Sequence, residues 1–413
     1  MKVKPFPALV PAPGEAPRIA SVPYDVVTTE EARALAEGNP HSFLRVVRAE
    51  LEFPPGTDPY ADSIYERSRE NLAMLRCEGL LVRDSEPAIY LYQLDQGGHV
   101  QTGVTLACHI EDYENDRIRK HEHTRPEKED DRTRLTDTLS ANTGPVFLTY
   151  EDVEVIDSFV EAWTSQHSPS VDFTDEPGVR HTVWRVSAED AKPILAALEA
   201  LDYSYVADGH HRSASAARVG RERREANPNH TGEENYNWFL AVLFPASQLQ
   251  VLAYNRVVRD LNGLSADGFL QKISESFRLD SNGQSVPDSP QSLCLYLDGA
   301  WHTLRWDLEA GAKPLDSLDV AVVQDRILGP ILGIENPRTD SRIGFVGGIH
   351  GADELKRRVD SEEWSIAFSM FPTNVSELIA IADAGETMPP KSTWFEPKLR
   401  SGLFLYTLGD EED

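Results

Sequence analysis

Cysteine is scarce in this 413-residue sequence, which contains only Cys77, Cys108 and Cys294. The three are far apart and follow none of the paired spacings of a metal site. Their scarcity suits a protein of a reducing cytoplasm. Each is therefore predicted to be a small buried residue, not a nucleophile.

Long apolar runs are also missing, and no stretch approaches the length needed to span a membrane. The N-terminal Met1-Lys2-Val3-Lys4-Pro5 leads into a proline-rich segment, unlike the apolar core of a signal peptide. We therefore expect no membrane association and a cytoplasmic location.

Positively charged residues are fewer than negatively charged residues. The chain has 40 Lys and Arg against 68 Asp and Glu, which gives a net charge of −28. Such a charge disfavours binding to nucleic acid or to an anionic membrane. Any cluster of basic residues consequently stands out. The acidic end, Asp410-Glu411-Glu412-Asp413, is typical of a frayed terminus.

The length is sufficient for two or three domains, and 40% hydrophobic with 26% charged residues is ordinary for a globular protein. Strand and helix patterns alternate irregularly without an internal repeat. This order predicts an α+β fold of mixed sheets with helices. The character of the sequence changes near Asn262-Gly263, so we predict one region at 1–260 and a C-terminal α/β portion at 261–413.

The most informative stretch runs from residue 205 to residue 212 and contains Asp208-Gly209-His210-His211-Arg212. A short strand precedes the Asp-Gly pair, and small residues typical of a helix follow it. A strand, a glycine turn and a helix start point free backbone N–H groups at an anion. Cations in a first helical turn are unfavourable unless an anion compensates them, which predicts a phosphate site. The alternative is an Asp208–Arg212 pair with solvated histidines.

A second polar stretch, residues 119–134, contains His121, Glu122, His123 and Thr124. Its charge density is also typical of a solvated loop. A zincin motif is excluded because position 125 is Arg125, not a second histidine. Chelation of a metal by His121 and His123 with a histidine of the turn stays open as a minor alternative.

A third stretch, Pro389-Pro390-Lys391-Ser392-Thr393, presents a lysine and two hydroxyls after a backbone fixed by prolines. These side chains suit phosphate oxygens, although the stretch lacks the glycines of a P-loop. A capped turn before the last strand explains the residues equally well.

Together these stretches resemble a bacterial family catalogued as domain of unknown function 1015, and the resemblance covers nearly the whole chain. The turn is also similar to the nucleotide-binding turn of the ParB, sulfiredoxin and free-serine-kinase group. The stretches that match the family are Val22-Pro23-Tyr24-Asp25-Val26, Asn39-Pro40-His41-Ser42-Phe43-Leu44, His121-Glu122-His123-Thr124, Ala207-Asp208-Gly209-His210-His211-Arg212, Arg338-Thr339-Asp340 and residues 388–398.

The second resemblance implies a ParB/sulfiredoxin-like nucleotide-binding core, in which Gly209, His211 and Arg212 hold phosphates. Sulfiredoxins carry their reactive cysteine where this chain has His210, so sulfinic-acid reduction is not expected. ParB's DNA-binding helices have no evident counterpart.

The resemblance thus implies a kinase that uses ATP or ADP with Mg²⁺ to phosphorylate a small hydroxyl metabolite, with free L-serine as the precedent. A nucleotide-binding switch without turnover and a metal-dependent hydrolase are the alternatives. The candidate phosphate-binding residues are Gly209, His210, His211, Arg212, Lys391, Ser392 and Thr393.

Asp25, Glu122 and Asp208 are the candidate catalytic carboxylates, and no resident metal is expected. Tyr24, His121, His123 and Thr124 are predicted to line the same cleft. The sequence leaves open which carboxylate is the base, which acceptor is used and what the oligomeric state is.

Overall fold

The computed structural model describes residues 1–309 and 311–409, and these form two compact units. The first unit comprises residues 1–249 and 397–409, and the second comprises residues 250–396. The second unit begins before the predicted boundary at 260 because the strand Tyr254–Val258 pairs with its sheet. The predicted frayed end, Asp410 to Asp413, lies outside the described residues.

The first unit is built on a mixed sheet of nine strands. Its strand order is β6-β11-β8-β12-β5-β4-β10-β9, and β1 pairs with β5 outside this path. The β11–β6 and β12–β8 pairs are parallel and the others are antiparallel. Two small antiparallel pairs, β2–β3 and β7–β21, complete the unit. The strands are β1 Val3–Lys4, β2 Leu9–Pro11, β3 Leu81–Arg83, β4 Ala88–Gln96, β5 His99–His109, β6 Ile118–Arg119, β7 Ala141–Asn142, β8 Val146–Tyr150, β9 Val171–Thr174, β10 Val179–Ser187, β11 Ser204–Asp208, β12 Trp238–Pro245 and, near the C-terminus, β21 Tyr406–Thr407.

Some helices pack against this sheet and others pack against one another. Ile156 of α7 and Ile194 and Leu198 of α8 are fully buried with Leu91 and Leu106 of the sheet, which forms the main core. A second core lies among α2, α3, α4 and α6. The helices are α1 Ala16–Ile19, α2 Thr29–Leu35, α3 Leu44–Val47, α4 Asp62–Cys77, α5 Ile110–Glu114, α6 Pro126–Leu139, α7 Glu154–Gln166, α8 Lys192–Glu199 and α9 His210–Ala226.

The second unit contains an antiparallel sheet of six strands in the order β15-β17-β16-β19-β14-β18, and the separate pair β13–β20. Its strands are β13 Gln250–Leu252, β14 Tyr254–Val258, β15 Arg278–Asp280, β16 Ser292–Leu297, β17 Ala300–Arg305, β18 Ile343–Gly347, β19 Ile366–Met370 and β20 Trp394–Glu396. Its helices are α10 Ala266–Ser274, α11 Pro314–Ser317, α12 Asp319–Val323, α13 Gly351–Asp360 and α14 Val375–Asp383. The predicted α+β class, with mixed sheets and helices, is confirmed.

The three cysteines differ in burial. Cys108 and Cys294 are buried as predicted, but Cys77 is exposed because it ends α4 on the side away from that helix's buried residues.

Within the described residues, none of the helices has both the length and the apolar character to cross a bilayer. The cytoplasmic location stays a prediction.

Candidate phosphate-binding site

Strand pairing brings three chain segments to one edge of the large sheet. Strands β6 and β11 are parallel neighbours, with Ser204 opposite Ile118. The loop after β6, which begins at Lys120, and the turn after β11 therefore leave the sheet at the same edge. Strand β8 is antiparallel to β11 and pairs Phe147 with Asp208, so the chain entering β8 meets this edge as well.

Gly209 connects β11 directly to α9. Its φ is +96° and its ψ is 32°, a left-handed conformation that residues with a Cβ adopt at a cost. A Cβ at this position would lie 3.0 Å from Nε of Arg212. Glycine thus allows both the sharp turn and the close approach of the guanidinium. The first N–H groups of α9 then face outward without intrahelical acceptors, as at the start of any helix.

The guanidinium of Arg212 is held beside this turn. Its Nη1 donates a hydrogen bond to the carbonyl oxygen of Pro145, and its Nη2 lies 3.5 Å from Oδ2 of Asp208. The side chain is only 11% exposed. Its Nε is buried and has no hydrogen-bond partner among the described residues. The Asp208–Arg212 pair of the alternative interpretation therefore forms, yet Nε of the guanidinium has no hydrogen-bond acceptor among the described residues.

The carboxylate of Asp208 lies close to two cations, Lys398 and Arg212. Its Oδ2 lies 3.4 Å from Nζ of Lys398 as well as near Arg212, and its Oδ1 accepts a hydrogen bond from the Gly209 N–H at 3.0 Å. Burial alone would raise the pKa of the Asp208 carboxyl, but Lys398, Arg212 and His210 together hold it well below its ordinary value. Asp208 is therefore ionised at neutral pH and is a weak base.

His210 and His121 form a buried pair of imidazoles. Their rings are perpendicular, with centroids 4.4 Å apart, and the residues are 6% and 2% exposed. Burial lowers the pKa of His210 to about 3 against the opposing effect of Asp208, and burial also holds the pKa of His121 well below 6.5. Because burial lowers this pKa so far, His210 is uncharged at neutral pH and Arg212 supplies the positive charge of the first turn. His210 Nε2 and His121 Nδ1 are both buried, and neither has a hydrogen-bond partner among the described residues.

The loop after β6 supplies a carboxylate and a backbone contact. Oε2 of Glu122 lies 3.9 Å from Nδ1 of His210, and the Glu122 side chain is 35% exposed. The Arg125 N–H donates to Nε2 of His211 at 3.1 Å, which assigns this nitrogen as an acceptor. The structure therefore brings Glu122, His121 and the Arg125 backbone to the turn.

Two other predicted residues of this loop are placed differently. The hydroxyl of Thr124 donates to Oε2 of Glu129 at 2.7 Å and so stabilises the start of α6. His123 is exposed.

Tyr24 lies near Arg212, and the two residues line one small cavity of about 30 Å³. The guanidinium of Arg132 lies 4.1 Å from the centre of the Tyr24 ring. Burial raises the pKa of the Tyr24 phenol, an effect that the charges of Arg132 and Arg212 oppose. Arg48 holds this loop by donating to the carbonyl oxygens of Tyr24 and Val27, both at 2.7 Å.

The neighbouring Asp25 is exposed, and among the described residues no ion pair joins it to the turn. It stays an untested candidate for the base.

Lys391, Ser392 and Thr393 belong to the second unit. The Ser392 hydroxyl donates to the carbonyl oxygen of Pro389 at 2.6 Å, so it closes the local turn. The Lys391 ammonium lies 5.2 Å from the centre of the Tyr254 ring. Participation of these three residues in nucleotide binding stays a prediction.

One residue of the candidate site was not identified from the sequence. Lys398 supplies a cation to Asp208, and it stands at the end of the family-matching stretch 388–398. Its place in this family-matching stretch was the feature of the sequence that could have identified Lys398 as a site residue. The carbonyl of Pro145, which holds Arg212, had no comparable signal because a backbone oxygen is the same in every residue type.

The described residues contain no group of three or more His, Cys, Asp or Glu side chains placed to hold a metal ion. His210 and His121 face each other edge to face, and Glu122 is 3.9 Å from His210. Most of the polar groups here are nitrogen atoms, which can donate hydrogen bonds to an anion.

The sequence is matched over residues 3–321 by the model of the family described as protein of unknown function, DUF1015. This match covers more than half of the chain. The protein therefore belongs to the DUF1015 family, as the motif resemblance predicted. No functionally curated protein matches the sequence.

Several solved structures have a weak overall likeness to the chain. A free serine kinase in complex with AMP is 10% identical with a TM-score of 0.37, covering 70% of this chain and 86% of that one. A C-terminally truncated SbnI from Staphylococcus aureus is 11% identical with a TM-score of 0.39, covering 75% and 90%. A conserved hypothetical protein from Pyrococcus furiosus is 10% identical with a TM-score of 0.36, covering 72% and 93%. With TM-scores below 0.5, these likenesses carry no conclusion about function.

Proposed function

We propose that this protein is a nucleotide-dependent kinase of a small hydroxyl metabolite, with free L-serine as the first acceptor to test. One observation carries the proposal. Arg212 Nε and His210 Nε2 are buried and unpaired within the described residues, at the start of α9. Buried polar atoms without partners are costly, and a phosphate at this position would satisfy them.

Phosphate fits this position for three physical reasons. The N-terminal amides and dipole of α9 favour an anion. The guanidinium of Arg212 matches the geometry of phosphate oxygens. Asp208 carries one negative charge against the two positive charges of Lys398 and Arg212, so this group of three has a net positive charge.

Glu122 is the carboxylate best placed to act as the base. It is partly exposed beside His210, whereas Asp208 is held ionised by its two cations. In the proposed step the acceptor hydroxyl oxygen forms a bond to the terminal phosphorus of the nucleotide. The bond from that phosphorus to the bridging oxygen breaks, the shortened nucleotide leaves, and the hydroxyl proton passes to Glu122.

Mg²⁺ is compatible with these residues as a partner of the nucleotide. This ion commonly uses one or two carboxylates together with substrate phosphates and water, and Asp208 would supply the carboxylate. When bound it would neutralise charge on the phosphates.

The direct test is to incubate the protein with ATP or ADP, Mg²⁺ and a mixture of amino acids and polyols, and to identify phosphorylated products by mass spectrometry. The proposal expects a phosphorylated product that forms in an amount equal to the shortened nucleotide, with O-phosphoserine as the first candidate. Nucleotide binding without any product would favour a regulatory switch. Failure to bind either nucleotide would overturn the proposal.

A further inference from the structure

A buried arginine that has no acidic partner among the described residues lies in the six-stranded sheet of the second unit. Arg256 is 2% exposed and lies on β14, between β18 and β19. Its guanidinium donates to the carbonyl oxygens of Tyr254 and, at 3.2 Å, of Lys391. No carboxylate among the described residues forms an ion pair with it.

This arrangement is energetically unusual. A buried charge is normally paired, because carbonyl dipoles replace only part of its lost hydration. Burial accordingly lowers the pKa of Arg256 to about 10. An anion that binds next to the guanidinium would remove this penalty.

The backbone of Lys391 lies beside Arg256. The Arg256 hydrogen bond to the Lys391 carbonyl fixes the backbone of Lys391, which has a left-handed φ of +59°. This conformation is costly for a lysine and is often found at functional positions. The Lys391 ammonium lies 5.2 Å from the centre of the Tyr254 ring.

Aromatic rings lie close to both residues. Alternation along β14 puts Tyr254 and Arg256 on the same face of the strand, and Phe345 of β18 pairs with Arg256 in register. The Tyr254 ring contacts Trp394 edge to face at 5.0 Å. Gly347 is required opposite Tyr254, since a Cβ there would lie 3.0 Å from the Trp394 indole.

We propose that Arg256 and Lys391, beside the rings of Tyr254, Phe345 and Trp394, form a second oxyanion site, which takes a phosphate group. The planar guanidinium supplies directional donors and the lysine supplies a point charge, the combination that phosphate binding uses elsewhere. This inference does not rest on the proposed kinase function, because it concerns residues of the second unit alone.

The test is equilibrium binding of radiolabelled inorganic phosphate to the full chain at constant ionic strength. All measurements use an Arg212→Ala background, which removes the candidate site of the first unit. Arg256→Gln is expected to weaken the remaining phosphate binding at least tenfold. Arg259→Gln is the matched control, because Arg259 also lies over a ring, that of Trp364, but is half exposed and faces Glu363 at 3.9 Å.

Lys391→Asn provides a second variant that tolerates the left-handed backbone, since asparagine adopts it readily. It is expected to weaken phosphate binding at least threefold without loss of the fold. Phosphate binding that is equal in the background protein and in both variants would overturn the proposal. The same holds if the background protein binds no phosphate, and nucleotide binding by the unaltered chain would then still stand as a separate result.

Discussion

The carboxylate of Asp208 lies 3.4 Å from the ammonium of Lys398, although 190 residues separate them in the sequence. The last residues of the first unit thus return to the strand that ends at the candidate phosphate turn. The contact keeps Asp208 ionised while Lys398 and Arg212 leave the turn with a net positive charge. An ionised Asp208 of this kind orients its neighbours better than it accepts protons.

Replacing Lys398 should change the ionisation of Asp208. Without this ammonium, the burial of Asp208 is opposed mainly by Arg212, so Lys398→Met is expected to raise the pKa of Asp208. Titration of the carboxyl carbon by NMR measures this pKa. Lys192→Met is the control, because Lys192 is exposed and its ion pair among the described residues is with Glu189. An unchanged Asp208 pKa in Lys398→Met would show that the contact has no electrostatic effect.

Gly209 and Gly232 permit a matched comparison, since both have a φ of +96°. A Cβ at Gly209 would lie 3.0 Å from Arg212, whereas one at Gly232 has nothing within 4 Å. Alanine at either position should cost about 1 kcal/mol of stability through backbone strain. Only Gly209→Ala should also weaken nucleotide binding, as measured by calorimetry. Equal nucleotide affinity in the two variants would contradict the role assigned to the turn.

Glu122 should matter for turnover and not for nucleotide binding. Loss of a general base typically costs about 10²- to 10⁴-fold in rate. Glu122→Gln is therefore expected to lower kcat at least about 100-fold while nucleotide affinity changes less than about twofold. Glu127→Gln, in the exposed first turn of α6, is the control. Near-normal turnover in Glu122→Gln would direct the search for the base to Asp25.

The buried imidazoles predict a specific dependence of stability on pH. Both histidines have folded-state pKa values below the ordinary 6.5, and that of His210 is about 3. At a pH between the folded-state pKa of a histidine and its ordinary pKa of 6.5, the unfolded chain binds a proton at this histidine that the folded protein does not bind. The free energy of unfolding should therefore decrease as pH falls from about 6.5, by about 1.4 kcal/mol per unit for each histidine.

Replacing one of these histidines tests this reasoning. His210→Gln should reduce the slope of unfolding free energy between pH 6 and pH 4, measured by urea denaturation. His350→Gln, at an exposed position, should leave the slope unchanged. Identical slopes for wild type and His210→Gln would mean that His210 is already charged in the folded state.

Local features of the fold were predictable because nearby residues determine them. A threonine followed three residues later by a glutamate is the sequence signature of a capping box, and Thr28 and Glu31 form one. The glycine pair Gly97-Gly98 is a turn signature, and it joins the paired β4 and β5. The strand, glycine turn and helix start around Gly209 were also predicted correctly.

Long-range pairing was harder to predict. The largely apolar run 249–254 has the composition of a single strand, but it is divided between β13 and β14, which belong to different sheets. The contact of Lys398 with Asp208 and the parallel pairing of β6 with β11 depend on the whole topology. The charge state of His210 depends on its burial, which its neighbours in sequence do not reveal.

The central claim is that the turn from Gly209 to Arg212 binds the phosphates of a nucleotide. Isothermal titration of ADP and ATP, each with Mg²⁺, into wild type, Arg212→Ala and Arg218→Ala tests it most directly. Arg218 is the matched control because it lies on the same helix and pairs with Asp130 and Glu222. Arg212→Ala should remain folded and bind at least about tenfold more weakly, a loss of about 1.4 kcal/mol, while Arg218→Ala binds like wild type. Equal nucleotide affinity in a folded Arg212→Ala would contradict the assignment of this turn as the phosphate site.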